Sequence, residues 1–247
     1  MKQEKVLTEK LVVELGLDKL SVITSDMLEG YTSIGVNAFF ECSSITSITI
    51  PNTVTNIGDG AFCWCSNLTS ITLPNSVTSI GDSAFYGCSN LTSITIPESV
   101  TSVGYCAFED CSALTSITLP NSVTSIGDGA FYGCCKLSSV IIDDKTFEIQ
   151  EVVNGKCKAY KAFNADLTCH EFKYEEGKTY EIEDEPKICE HGFHACLNLL
   201  DVFNYYNGVF GKDIIVYEVE LENVSDEYNK DDSKVVAKKI TIGKRIL

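Results

Sequence analysis

The chain has 247 residues and is 44% apolar, enough to bury one large core or two small ones. Its net charge of −16, with Arg245 as the one arginine, argues against nucleic acid as a partner, because phosphate binding needs clustered cations. No apolar run is long enough to span a membrane and Met1–Leu20 holds no signal-peptide core, so we expect a cytoplasmic protein with reduced thiols.

The first 27 residues are predicted to form a capping segment. Apolar side chains recur there at near-helical spacing: Val6, Leu7, Leu11, Val12 and Leu15. This spacing predicts an amphipathic helix over Gln3–Leu15, which Gly16 ends and which covers the first turn of the next segment.

Residues 28–142 are five copies of one 23-residue unit. Four ladders share this step: Ile34, Ile57, Ile80, Val103 and Ile126; Phe39, Phe62, Phe85, Phe108 and Phe131; Cys42, Cys65, Cys88, Cys111 and Cys134; Ile45, Leu68, Leu91, Leu114 and Leu137. Coincident ladders at one period indicate a solenoid, in which each turn buries its apolar edge against the next.

Within one unit, Leu68–Leu73 alternates apolar and polar residues and is predicted to be a short strand, which Pro74 ends. Val77 and Ile80 follow on the return path, and the pair Ala84-Phe85 is predicted to turn inward, with each Phe packing on the Phe of the next turn.

The recurring motifs L-T-S-I-T-I-P, S-V-T-S-I-G and A-F-x-x-C resemble those of the bacterial BspA-like, or Treponema-type, leucine-rich repeats. The resemblance implies a curved solenoid of parallel strands, with the strands on its concave face and the Cys ladder inside as buried thiols. Disulfides between neighbouring turns are the alternative. Cys63, Cys106 and Cys135 lie off the ladder and are expected to be exposed, fully or in part.

Two surfaces of the solenoid are candidate binding sites. The predicted strands present small hydroxyls, among them Ser70, Thr72, Ser93 and Thr95, which suit strand propensity or a repetitive ligand such as a glycan. The rim varies more from turn to turn and carries aromatic residues: Trp64, Tyr86, Tyr105 and Tyr132. Aromatic residues dominate protein interfaces, so the rim is the better candidate contact surface; the alternative is that these rings only cover the solenoid edge.

Residues 143–247 have a different composition and are predicted to form a small α+β domain. A helix is predicted over Cys196–Tyr206. The predicted strands are Phe147–Val153, Lys158–Phe163, Lys187–Cys189, Ile214–Leu221 and Val235–Ile242.

A compact group of possible zinc ligands lies in this domain: Cys189, His191, His194 and Cys196, with Cys169 and His170 as further ligands. The spacing C-x-H-x-x-H-x-C is not that of a known structural zinc site, so the alternatives are a packed turn with a buried histidine and nucleophilic Cys–His chemistry.

The order Y-K-A-F, G-F-H-A-C, Y-E-V-E-L is similar to an uncharacterised domain of bacterial and phage proteins, and also to the ADP-ribosyltransferase core. The second resemblance implies NAD as cofactor, with Tyr160 and His194 positioning it and Glu218 or Glu220 stabilising an oxocarbenium ion. Lys161 stands near the place where one class of these enzymes has an arginine.

The fold class predicted from the sequence is therefore an α/β solenoid of leucine-rich repeats, mostly β with short turns and an N-terminal capping helix, followed by a small α+β domain. The predicted function is a non-catalytic protein-binding or scaffold protein. It needs no cofactor, and its partner is another protein rather than nucleic acid or a membrane. An NAD-using transferase carried by the C-terminal domain is the alternative.

Overall fold

The computed structural model describes residues 5–142, 145–148, 156–164, 168–169, 172–181, 193–196, 202, 214–225 and 234–246. The chain divides into two compact units, Met1–Phe147 and Glu148–Leu247. The helix and strands of the first unit are β1 Val6–Leu7, α1 Glu9–Glu14, β2 Val22–Ile23, β3 Ser33–Ile34, β4 Ser47–Thr49, β5 Asn56–Ile57, β6 Ser70–Thr72, β7 Ser79–Ile80, β8 Ser93–Thr95, β9 Ser102–Val103, β10 Ser116–Leu119, β11 Ser125–Ile126, β12 Ser139–Ile142 and β13 Lys145–Glu148.

The first unit is a β-solenoid with two strand ladders. The odd-numbered strands β1 to β11 form one 6-stranded sheet, and the even-numbered strands form the 3-stranded β2-β4-β6 and, with β13, the 4-stranded β13-β12-β10-β8. The repeat strands up to β12 pair in parallel, and each residue pairs with its equivalent one turn later, as Ser47 does with Ser70. Ile80 is predicted to lie on the return path of the repeat, and the structure shows that Ser79–Ile80 is there a strand, β7 of the 6-stranded sheet.

The N-terminal segment differs from the helix predicted over Gln3–Leu15. Val6 and Leu7 form a strand that pairs with β3, and α1 begins only at Glu9, because the Thr8 side chain caps the helix by accepting a hydrogen bond from the Leu11 N–H. The helix ends as predicted, since Gly16 adopts a left-handed φ of 70°. The N-terminal segment thus contributes a helix and two strands, β1 to the sheet of odd-numbered strands and β2 to the sheet β2-β4-β6.

The predicted phenylalanine stack runs through the solenoid core. Successive rings from Phe39 to Phe131 lie 5.1–5.4 Å apart, centroid to centroid, with interplanar angles of 3–7°. This spacing is close to the distance between neighbouring strands, so the ladder of backbone hydrogen bonds sets the stacking of the rings.

The cysteine ladder is confirmed as free thiols, buried at Cys65, Cys88, Cys111 and Cys134 and half-buried at Cys42. Each buried sulfur donates to the carbonyl of the ladder Phe in the preceding turn, as Cys88 Sγ does to Phe62 O over 3.2 Å. Burial raises the pKa of Cys88 to about 12, so the thiol stays protonated and is not a nucleophile at neutral pH.

Cys63 and Cys106, which lie off the ladder, are buried, contrary to the prediction, and Cys135 is exposed as predicted. A Cβ at Gly129 would lie 3.2 Å from the Cys106 sulfur, so the next turn of the solenoid covers that thiol. Cys63 is also buried, at 8% exposure, and Tyr86 occupies the equivalent position one turn later.

The described part of the second unit is built on an antiparallel sheet. The strands of this unit are β14 Lys156–Asn164, β15 Thr168–Cys169, β16 Phe172–Lys173, β17 Thr179–Glu181, β18 Phe193–Cys196, β19 Ile214–Val224 and β20 Lys234–Arg245. The sheet has the order β17-β20-β18-β14-β19, and a further pairing of β19 with β20 closes β20, β18, β14 and β19 into a ring. Strands β15 and β16 form a separate 2-stranded sheet. Its core contains Ala159, Phe163, Tyr217, Val219 and Ile240.

The predicted strands Lys158–Phe163, Ile214–Leu221 and Val235–Ile242 are present as β14, β19 and β20, and each extends beyond its predicted bounds. Of the predicted strand Phe147–Val153, only Phe147 and Glu148 lie within the described residues, in β13. The predicted strand Lys187–Cys189 lies outside them. The helix predicted from Cys196 is wrong at its start, because Cys196 ends strand β18, and Val202 is the one other residue of that span that is described.

Candidate functional site

Each repeat of the solenoid makes its A-F-x-x-C turn with two left-handed residues. The first precedes the Ala by one position, and the second precedes the Cys by one position. The first column is Asn37, Gly60, Ser83, Cys106 and Gly129, and the second is Glu41, Trp64, Gly87, Asp110 and Gly133. Glycine adopts this conformation without steric cost, whereas a bulky residue there is strained.

The second column and the residue before each of its members form a surface that we name the aromatic strip: Phe40, Glu41, Cys63, Trp64, Tyr86, Gly87, Glu109, Asp110, Tyr132 and Gly133. Backbone hydrogen bonds join neighbouring turns within the strip. The Trp64 N–H donates to Tyr86 O over 2.7 Å, and the Gly87 N–H donates to Glu109 O over 2.8 Å. The side chains of the strip are therefore held on a regular backbone.

Trp64 is the central residue of the strip. It has a φ of 60°, and its side chain is 44% exposed. The indole lies over Gly87 of the next turn, where a Cβ would come within 2.5 Å of the ring. Its plane is nearly perpendicular to the Tyr86 ring, at 81° with centroids 5.1 Å apart. Gly87 thus makes room for the indole, and Tyr86 supports its edge.

Acidic groups surround this aromatic pair. Partial burial raises the pKa of Tyr86, and the charges of Glu109 and Asp110 raise it further. Asp110 Oδ1 lies over Gly133, where a Cβ would be only 2.2 Å away. Glu41 is exposed and lies one turn before Trp64 in the same column, with its N–H bonded to Cys63 O.

The other predicted rim residues lie in the same part of the repeat as Trp64, in later turns. Tyr132 is 46% exposed and belongs to the strip, two turns beyond Tyr86. Tyr105 is 57% exposed but belongs to a neighbouring column with Val36, Asp59, Asp82 and Asp128. Phe40 and Glu41 are not among the predicted rim residues, although they align with Cys63 and Trp64 at the 23-residue step.

The predicted hydroxyl surface is present on the sheets that the even-numbered strands form. Ser70, Thr72, Ser93 and Thr95 are exposed on β6 and β8. Neighbouring hydroxyls bond each other along the ladder, as Ser70 Oγ does to Ser47 Oγ over 3.1 Å. This surface is regular and uncharged, and it offers only small side chains to a ligand.

The candidate transferase residues lie on three paired strands of the second unit. Tyr160 on β14 is buried and lies directly opposite Glu218 of β19 on one side and Cys196 of β18 on the other. Glu218 lies at an irregularity in the pairing of β19 with β20, and its carboxylate accepts from Lys158 Nζ at 3.4 Å. Glu220 is exposed. The backbone of His194 pairs with Val236, and its side chain is outside the described part of the structure.

The predicted zinc ligands can be followed only in part. Cys189, His191 and His170 lie outside the described residues, whereas Cys196 is buried on β18. Within the described ranges, no group of three His, Cys, Asp or Glu side chains could hold a metal ion. Where the structure describes the chain, no helix is long and apolar enough to cross a membrane.

Comparison with known proteins finds two families. Residues 32–161 match the BspA type leucine rich repeat region in 6 copies, and residues 157–247 match a domain of unknown function, DUF7666. No curated protein matches the chain.

Solved structures of leucine-rich repeat proteins are similar to part of the chain. One from T. pallidum is 34% identical, with a TM-score of 0.48 over 49% of this chain and 58% of the other. A cell surface protein from Faecalibacterium prausnitzii is 34% identical, with a TM-score of 0.48 over 51% and 32%. One from Bacteroides ovatus is 45% identical, with a TM-score of 0.44 over 45% and 29%. The chain therefore spans less than two thirds of each.

The repeat model covers more than half of the chain, and its ladders of Ile, Phe and Cys are the ones that build the solenoid core. The chain belongs to the family of proteins with a BspA type leucine rich repeat region.

Proposed function

We propose that this chain is a non-catalytic protein-binding or scaffold protein, in which the solenoid binds a partner protein through the aromatic strip and carries the small C-terminal domain. Extended surfaces built by repetition are the usual binding sites of solenoid proteins. We also propose that the protein is cytoplasmic, and the free thiols of the Cys ladder are compatible with a reducing compartment.

Trp64 is the observation that carries this proposal. A bulky residue at a φ of 60° costs about 1–2 kcal/mol in backbone strain, and Gly87 and Gly133 occupy the same column without that cost. The fold therefore does not require tryptophan at this position. An exposed, rigidly seated Trp next to a Tyr is the composition of an interface hot spot, so we assign the strained residue to binding.

The hydroxyl surface suits this role less well. Ser70 and Thr72 and their equivalents have little side-chain area to bury, and interface hot spots are poor in Ser and Thr. A repetitive glycan is the ligand that such a regular array would fit.

Affinity capture from the cells that express the protein tests the proposal. Three forms serve as bait: the parent chain, Trp64→Gly, and Glu98→Asn as a control at an exposed position where other turns have Asn. We expect a partner that the parent and the control retain to equal extents and that Trp64→Gly loses. Equal retention by all three forms, or capture of no partner, would contradict the proposal.

An NAD-using transferase is the second candidate, favoured by one observation, the pairing of Tyr160 opposite Glu218. Titration calorimetry with NAD tests it, with Glu218→Gln as the variant and Glu181→Gln, exposed on β17, as the control. Binding by the parent and the control but not by Glu218→Gln would support the transferase. The absence of binding by the parent would dismiss it.

A further inference from the structure

The charges and aromatic rings of the solenoid are concentrated on one side of the repeat. Between residues 28 and 142, Lys136 is the only cation, and the carboxylates are Glu29, Glu41, Asp59, Asp82, Glu98, Glu109, Asp110 and Asp128. All of these carboxylates except Glu29 and Glu98 lie between the repeat glycine and the ladder Cys, in or beside the aromatic strip. The exposed rings of Phe40, Trp64, Tyr105 and Tyr132 share this segment, whereas the hydroxyl surface is neutral.

The geometry of the strip suits a cation. The Trp64 indole lies against Gly87 and the Tyr86 ring, and 44% of the side chain remains exposed to solvent. A guanidinium or ammonium group is attracted to the face of an indole ring, and Trp is the strongest of the aromatic residues in this respect. Turns of the solenoid follow one another at about 5 Å, so the Glu41 carboxylate one turn before Trp64 is within reach of a cation placed on the ring.

Asp110 extends the same arrangement in the other direction. It lies two turns beyond Trp64 in the same column, with a glycine on either side. Glu109 and Asp110 also face Tyr86, which supports the indole. The column therefore offers an acid, an indole and an acid in order along the solenoid, and no residue of the strip is basic.

We propose that the aromatic strip binds a basic segment of a partner protein, with an Arg or Lys side chain stacked on Trp64 and further cations paired with Glu41 and Asp110. The inference rests on the proposed protein-binding function and adds the chemistry of the partner. Arginine fits better than lysine, because its planar guanidinium can stack on the indole and bond a carboxylate at the same time.

Trp64 is the only tryptophan of the chain, so its fluorescence reports on this surface alone. The full chain is titrated with octa-arginine, octa-lysine and octa-glutamate peptides at low salt, because exposed charges are screened at high ionic strength. The test variant is Glu41→Asn/Asp110→Asn, which keeps Trp64 and places Asn where a left-handed residue is required. The control is Glu29→Gln/Glu98→Asn, which removes two carboxylates outside the strip.

We expect saturable changes in Trp64 emission with octa-arginine, a smaller affinity for octa-lysine and no response to octa-glutamate. The test variant should bind octa-arginine about tenfold more weakly and the control within about twofold of the parent. Equal weakening in both double variants would mean attraction to the net charge alone and would overturn the proposal.

The failure of this inference can be told apart from failure of the proposed function. If octa-arginine leaves Trp64 emission unchanged while a cellular partner is still captured in a Trp64-dependent way, the basic partner is refuted and protein binding stands. If neither occurs, the proposed function fails and this inference fails with it.

Discussion

Gly87→Ala should destabilise the solenoid for two separable reasons. Residue 87 has a φ of 70°, at which an alanine costs about 1–2 kcal/mol. The new Cβ would also lie 2.5 Å from Cε3 and 2.9 Å from Cδ2 and Cζ3 of Trp64. The indole must move by roughly 1 Å to restore ordinary contact, and it thereby loses part of its packing on Tyr86, at a cost of about 1 kcal/mol.

Gly16→Ala is the matched control, because it measures only the cost of placing an alanine in the left-handed backbone region. Gly16 has the same φ of 70°, and a Cβ there would meet no atom within 4 Å. Urea denaturation followed by circular dichroism should give a loss of about 1–2 kcal/mol for Gly16→Ala and about 2–3 kcal/mol for Gly87→Ala.

A double-mutant cycle isolates the contact between Trp64 and Gly87. In a Trp64→Gly background the indole is absent, so Gly87→Ala should cost only the backbone term, and the two substitutions should couple by about 1 kcal/mol. Coupling near zero, together with equal losses for Gly16→Ala and Gly87→Ala, would show that the indole does not rest on Gly87.

Four further measurements test other parts of the structure. Phe85→Ala, inside the phenylalanine stack, should lower the free energy of unfolding by about 3–5 kcal/mol in urea denaturation, and a loss below about 1 kcal/mol would mean that this ring is not core. Trp64→Gly should cost only about 1 kcal/mol in the same assay, because relief of backbone strain offsets most of the lost burial; a loss as large as that of Phe85→Ala would make Trp64 a core residue. In native protein a thiol reagent should modify Cys135 quickly and Cys65, Cys88 and Cys111 only after denaturation, as mass spectrometry of the labelled sites can show; rapid native labelling of the ladder would contradict its burial. The free energy of unfolding should fall between about pH 9 and 12, because thiols of the unfolded chain lose protons near 9.0 while burial holds the pKa of Cys88 at about 12. Cys88→Ala should make the free energy of unfolding depend less steeply on pH in this range. An unchanged pH dependence in Cys88→Ala would refute the raised pKa of Cys88.

The regular part of the solenoid was predictable because its determinants are local and repeated. The 23-residue step predicts the Phe stack and the Cys ladder, since equivalent residues of successive turns must meet. The second parallel ladder was missed because its strands, such as Ser79–Ile80, are two residues long and have no distinct alternation. The start of the N-terminal helix was missed because Val6 and Leu7 fit helical spacing but pair with β3 instead.

Most residues of the candidate site could be predicted from the sequence, but their backbone conformation and contacts could not. Trp64, Tyr86 and Tyr132 were identified because they vary where the rest of the repeat does not. The left-handed conformation of Trp64 was signalled only indirectly, by glycines at the equivalent positions 87 and 133. In the second unit, strand alternation predicted the long strands, but the ring closure of β19 on β20 depends on pairing between distant segments, which no local pattern specifies.

The most direct test of the central claim is site-specific photo-cross-linking from position 132, in the aromatic strip, in cells. A benzophenone amino acid at this exposed position should cross-link one partner, and the product should disappear in the Trp64→Gly background and persist with Glu98→Asn. Cross-linking that is unaffected by Trp64→Gly, or that occurs equally from the exposed position Thr72 on the hydroxyl surface, would contradict the claim that the aromatic strip is the binding surface.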